Sequence, residues 1–153
     1  MAIAVLFGNN ISAQPAKFYK TRHHKGFVFD SSIFVMKSII DERSRYTPSA
    51  KEIEKAEKLL REKLHSFNAK RINQGSGCPI IHKKLKKYFR QYIGYVNRNG
   101  EHVIWINFFW NKDLVDRAMF DIITINDGCS YYWDIEVNVT KEELINLDIN
   151  GRG

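Results

Sequence analysis

The stretch RQYIGYVNRNGEHVIWINFFW, from Arg90 to Trp110, constrains this chain more than any other. Asn99-Gly100 at its centre is a strong two-residue hairpin signal, because a type I′ turn needs positive φ at both central positions. That turn sets Arg98 opposite Glu101, Val96 opposite Val103 and Gly94 opposite Trp105. One face of the hairpin then carries Ile93, Tyr95, Ile104, Ile106 and Phe108, and the other carries Tyr92, Val96, Val103, Trp105 and Phe109. Both faces are largely apolar, so both need cover, and one helix cannot cover two faces of a sheet. Glycine opposite an indole marks a bend or a close approach.

The helix that must cover one face is the clearest element upstream. Ile53, Ala56, Leu59, Leu60, Leu64 and Phe67 recur at spacings of three and four and make one apolar stripe. Its start is signalled twice, by Thr47 before Pro48 and by Ser49 three residues before Glu52. Glu54–Lys58 and Glu57–Arg61 stand at i,i+4 in the favoured order, on what the pattern makes the wet side. NAKRINQGSGCP, Asn68 to Pro79, reads as a flexible loop. After the hairpin, FDIITINDGCSYYWDIEVNV predicts a second hairpin turning at Asp127-Gly128, with Ile122 opposite Trp133 and Phe120 opposite Ile135. There Trp133, Ile135, Val137 and Val139 alternate with Asp134, Glu136 and Asn138. A last strand follows, in which Ile145, Leu147 and Ile149 alternate with Asn146 and Asp148. Before the helix, Ser31–Ile39 predicts a first strand, and residues 14–30 read as a basic, irregular arm.

The expected fold is α+β: one long amphipathic helix packed on a curved antiparallel sheet of four or five strands, in a single domain over residues 31–153. That element order resembles the cystatin-like and NTF2-like folds, which implies architecture and not function. The SAQ-ending leader, RQYIGYVNRNGEHVIWINFFW and YYWDIEVNVTKEELINLDING together resemble small exported bacterial proteins of unknown function. The likeness spans most of residues 48–151 and implies no activity, substrate or site.

Location and charge bound the function classes. MAIAVLFGNNISA, residues 1–13, resembles the tail of a signal peptide cleaved after Ala13, although the basic n-region is missing; an ordinary N-terminal strand is the alternative. The expectation is a secreted or periplasmic protein. No run approaches the ~20 apolar residues of a membrane span. With 44% hydrophobic and 13% aromatic residues the chain is not disordered. Its charge is lopsided: residues 1–90 hold 19 Lys/Arg against 7 Asp/Glu, and residues 91–153 hold 5 against 10. Such asymmetry steers acidic partners, or it is internal complementarity between basic helices and an acidic sheet.

Candidate sites are few. Lys83, Lys84, Lys86, Lys87 and Arg90, threaded by Leu85, Tyr88 and Phe89, suit an anionic polymer or a nucleic-acid strand. The same run fits the solvated side of a short amphipathic helix anchored by Ile81 and Leu85. Cys78 and Cys129 admit one disulfide closing a long loop, or two unrelated thiols. The five histidines are scattered, and His23–His24 has no partner at metal-ligand spacing. Asp121 and Asp134 face each other in the expected second hairpin, where they could share a proton, or simply be solvated. No Ser-His-Asp arrangement, phosphate loop, dinucleotide fingerprint or HExxH motif is present, and no cofactor is expected. Tyr92, Trp105, Phe109, Trp110, Tyr131 and Tyr132 exceed what one helix covers, and so point to a protein partner or a second copy of the chain, unless Phe18, Phe27, Phe29 and Phe34 fold across that face. The sequence therefore leads to a small exported binding protein that uses an aromatic sheet face. An NTF2-like cavity enzyme or ligand binder and a basic anion or nucleic-acid binder are the alternatives.

Overall fold

The computed structural model describes residues 14–35, 40–41 and 44–152. The leader and most of the second half of Ser31–Ile39 therefore lie outside the described residues.

One sheet organises the chain. Its strands are β1 (Lys17–Lys20), β2 (Lys25–Phe29), β3 (Arg45–Tyr46), β4 (Phe89–Val96), β5 (His102–Phe109), β6 (Tyr132–Asn138) and β7 (Glu143–Ile149). Spatial order is β1-β2-β4-β5-β6-β7, with β3 also on β4. All pairs are antiparallel except β2 with β4. The architecture is α+β with a mostly antiparallel sheet of 7 strands, larger than the four or five expected. Two of the extra strands come from the supposed irregular arm: KFYK and KGFVF form a hairpin whose second strand extends the sheet beside β4. Residues 31–35, expected to open a strand, instead form a turn and coil.

Helix α1 (Ala50–Phe67) starts at Ser49 by a full capping box: Ser49 Oγ accepts from the Glu52 backbone N–H, and the Glu52 carboxylate accepts from the Ser49 N–H. Ile53, Ala56, Leu59, Leu60 and Leu64 are buried as the periodicity requires, on a sheet face formed by Tyr92, Ile104, Ile106, Phe108, Trp133, Ile135 and Val137. Side chains fill this layer, and Phe108 stacks on Trp133 with ring centroids 3.7 Å apart. Phe67 ends the stripe but stays 45% exposed.

The β4–β5 register differs by one residue from the two-residue expectation. Val96 pairs with His102, Gly94 with Ile104 and Ile93 with Trp105. The turn uses three residues because only Gly100 of the Asn99-Gly100 pair has positive φ (76°). Asn97 holds it, its Oδ1 accepting from the N–H groups of Asn99 and Glu101. A one-residue shift turns the residues of one strand to the opposite face. Tyr92 accordingly lies on the helix side with Ile104, whereas Ile93 and Trp105 face the other way. Gly94 is nevertheless a close-approach point. A Cβ there would lie 2.6 Å from the Tyr46 carbonyl oxygen and 2.9 Å from Pro48, where β3 crosses.

The second face is covered by residues 114–125 together with Ile33, Val35 and Ile40, so the expected Phe120–Val139 hairpin does not form. The reason is polar. Buried Gln91 and Asn107 bind the backbone of the covering segment: Gln91 Nε2 donates to the carbonyls of Ala118 and Asp121, Asn107 Nδ2 donates to that of Ile123, and Gln91 Oε1 accepts from the Ile123 N–H. With that backbone engaged, β6 pairs directly with β5. The cover rests on Phe27 and Phe29 as part of the sheet, while Phe18 and Phe34 remain 50% and 70% exposed.

The close approach at Gly94 is testable. Gly94→Ala should destabilise the fold by about 1–3 kcal/mol through overpacking, whereas Gly151→Ala, with nothing within 4 Å of the added Cβ, should be neutral. Urea denaturation of the two variants beside the parent checks this.

Candidate functional site

The basic segment folds as a short helix α2 (Ile81–Lys84) continued by a 3-10 turn, Leu85–Lys87. Ile81 is fully buried and Leu85 packs against the helix-side core, so Lys83, Lys84, Lys86 and Lys87 point outward. The segment is held at both ends. Tyr88 is buried and its hydroxyl donates to the Ser130 carbonyl at 2.6 Å. Ser130 Oγ in turn donates to the Pro79 carbonyl, and Tyr131 OH to that of Gly77. Cys78 and Cys129 are joined as a disulfide with Cα atoms 6.1 Å apart, closing a sequence separation of 51 residues. A closed loop of that length stabilises by about 4 kcal/mol in the chain-entropy treatment.

Between this segment, α1 and the β1–β2 turn opens a half-enclosed cleft of about 390 Å³. Its walls are His23, Arg61, His82, Lys83, Lys84, Leu85, Lys86 and Lys87, and its floor is Glu57 and Arg90. Arg90 does not belong with the lysines as an outward cation. It is 1% exposed, and Glu57 matches it at 1%. The Glu57 carboxylate accepts from Arg90 Nε at 3.0 Å and Nη2 at 3.3 Å, a two-pronged pair, and from Tyr92 OH at 2.9 Å. Arg90 Nη1 donates to the Tyr88 carbonyl. Glu57 therefore leaves the wet face on which its spacing to Arg61 had placed it, and Arg61 is released to the cleft wall. His24 sits beside the pair, its Nδ1 3.2 Å from Thr21 Oγ1 and 3.7 Å from Glu57. Its Nε2 lies 3.4 Å from Glu54 without making a hydrogen bond.

Among the described residues, no ion pair involves Arg61, Lys83, Lys84, Lys86 or Lys87. Burial lowers the His82 pKa, with His65, Arg71 and Lys83 adding to the effect. The adjoining Lys25 is also lowered, by burial first and then by Lys112, Lys20, Arg90 and Lys87. For both groups burial is the largest cause, and the neighbouring lysines and arginines act in the same direction.

The other candidates fall elsewhere. Tyr92, Trp105 and Phe109 are core residues, each exposed by no more than 1%, and present nothing to a partner. Trp110, Tyr131 and Tyr132 are half-buried, with Trp110 edge-on to Tyr88 and Tyr131. Asp121 and Asp134 do not meet: Asp121 is exposed on the covering segment, while Asp134 pairs in register with Asn107 and Asp148 and accepts from Trp105 Nε1 at 2.8 Å. Among the described residues, no three His, Cys, Asp or Glu side chains gather as a metal site, and no helix is long and apolar enough to cross a membrane. The buried Glu57–Arg90–Tyr92 group escaped the sequence because Glu57 occurs in a helix of Glu and Lys. Its one signal is its position one residue after Ala56 and two before Leu59, on the border of the apolar stripe.

Comparison with family models, curated proteins and solved structures found no match. The cystatin-like and NTF2-like likeness thus gains no support beyond the α+β class.

Two consequences of the floor can be measured. Glu57→Gln leaves Arg90 buried without a counter-charge and should cost about 3–5 kcal/mol of folding free energy, read from chemical denaturation. Burial lowers the His24 pKa from its ordinary 6.5, opposed by Glu57 and helped by Arg90, and burial lowers His82 as well. Both rings are therefore neutral in the fold where the unfolded chain begins to take up protons. That contribution is complete above pH 6.5 and shrinks as the pH falls below it. The urea midpoint of the parent should drop between pH 7.5 and pH 5.5 by more than that of His24→Gln.

Proposed function

We propose that this chain is a binding protein without catalytic chemistry of its own, and that its ligand is an anion held in the cleft between α1 and residues 81–87. The observation that carries this reading is the cleft wall itself: Arg61, Lys83, Lys84, Lys86 and Lys87 converge on one concavity, and none has an acidic partner among the described residues. Exposed cations that line one concavity attract a counter-charge from outside. Lysine ammonium groups suit phosphate or sulfate oxygens as point charges, and Arg61 adds a forked donor. The floor argues against acid–base work. Glu57 is already satisfied by Arg90 and Tyr92, which leaves it a structural counter-ion and not a free base.

We place the protein outside the cytoplasm, as the leader-like residues 1–13 and the bond between Cys78 and Cys129 favour. An aromatic partner face loses its footing with Tyr92, Trp105 and Phe109 in the core.

The test is calorimetric titration with inorganic tripolyphosphate, a compact polyanion. Binding should be detectable at low salt and weaken as salt rises. Lys83→Ala combined with Lys84→Ala and Lys87→Ala should reduce it at least tenfold while leaving the denaturation midpoint within about 0.5 kcal/mol of the parent, as expected for exposed side chains. Equal binding by parent and variant would remove the cleft as the site.

A further inference from the structure

The anion cleft does not end at the lysine ridge. On the far side of Lys86 and Lys87 lies a second open concavity of about 590 Å³, lined by Lys25, Lys86, Lys87, Trp110, Asn111 and Lys112. The two concavities share Lys86 and Lys87 and no other lining residue. They therefore form one cationic track that passes over the ridge, wider than a single phosphate or sulfate group requires. Lys25 and Lys112 also lack ion pairs among the described residues. Lys25 rests over the Phe89 ring at 4.0 Å, which fixes its ammonium at the mouth of the second concavity.

Trp110 sets the chemistry of the second half of the track. Of the three tryptophans, Trp105 and Trp133 are 1% exposed, and Trp110 alone is partly exposed. Tyr88 and Tyr131 meet it edge-on, at centroid distances of 5.1 and 5.3 Å, and so brace the indole within the cationic surround. A braced ring among ammonium groups fits a ligand that alternates negative charge with flat rings. A single strand of nucleic acid has that alternation: phosphates follow the lysines while an unstacked base lies on the indole. A duplex keeps its bases stacked inside and offers none to a ring on the protein surface. A sulfated glycan supplies charge but no aromatic face.

Resting on the anion-binding reading above, we propose that the ligand is a single-stranded nucleic acid laid from the first cleft over Lys86–Lys87 into the second, with one base stacked on Trp110.

The experiment uses the full chain and three probes: tripolyphosphate, an oligothymidylate of about eight nucleotides, and a heparin oligosaccharide of matched charge. The oligothymidylate should bind more tightly than the matched heparin fragment and quench tryptophan fluorescence, a signal that comes from Trp110 because the other two indoles are buried. With about four phosphates neutralised, affinity should fall roughly fifty-fold between 50 and 200 mM salt. Trp110→Ala should weaken the oligothymidylate about tenfold and leave tripolyphosphate unchanged. Lys25→Ala with Lys112→Ala, which leaves the indole's packing alone, should weaken the oligothymidylate and spare tripolyphosphate. If heparin binds as tightly as the oligothymidylate and no quench appears, the nucleic-acid assignment falls and the anion cleft stands. If tripolyphosphate fails as well, both fall.

Discussion

The pairing of Glu57 with Arg90 is the interaction on which the rest of the structure depends. It joins the middle of α1 to the start of β4, and both partners are removed from water. A buried ion pair is weak evidence for stability, since desolvation offsets much of its attraction. Its value here is geometric. Arg90 reaches Glu57 on one side and the Tyr88 carbonyl on the other, so the angle at which the lysine segment leaves the sheet is tied to the position of the helix. Tyr92 donates to the same carboxylate and completes its hydrogen bonding. With Glu57 consumed by Arg90, the cations around it keep their charge for something else.

Charge asymmetry along the chain acquires a physical meaning from this arrangement. Part of it is internal, as the complementarity reading anticipates: Lys55 from the basic half meets Glu142 from the acidic half. Among the described residues, the lysines of residues 83–87 take no part in that neutralisation. They sit on a segment clamped by Tyr88, Ser130 and the Cys78–Cys129 bond, and their backbone is thereby fixed while their side chains stay solvated. Fixing the backbone lowers the ordering cost of binding, and leaving the ammonium groups free preserves their attraction at a distance.

Much of the fold was legible because its signals are local. The capping box at Ser49–Glu52, the stripe from Ile53 to Leu64, and the alternation of Trp133, Ile135 and Val137 each follow from a few neighbouring residues. The misses depend on contacts far apart in sequence. Whether Asn99-Gly100 closes two residues or three turned on the Asn97 side chain, and the difference reassigned which aromatics face α1. Phe120–Ile125 reads as a strand, but Gln91, 30 to 32 residues away along the chain, and Asn107, 16 residues away, hold its backbone as a cover. The cleft was half visible. The lysines announce themselves, while Glu57, Arg61 and His23 join them only through the packing of α1 and the β1–β2 turn.

The central claim, that the concavity between α1 and residues 81–87 is an anion site, is tested most directly by mapping backbone amide chemical shifts of the labelled protein during a tripolyphosphate titration. Saturable shifts should concentrate at His23, Arg61 and residues 82–87, the positions that line the cleft. Shifts that instead gather around the groove formed by residues 66–72 and 147–149, or that fail to saturate anywhere, would contradict it.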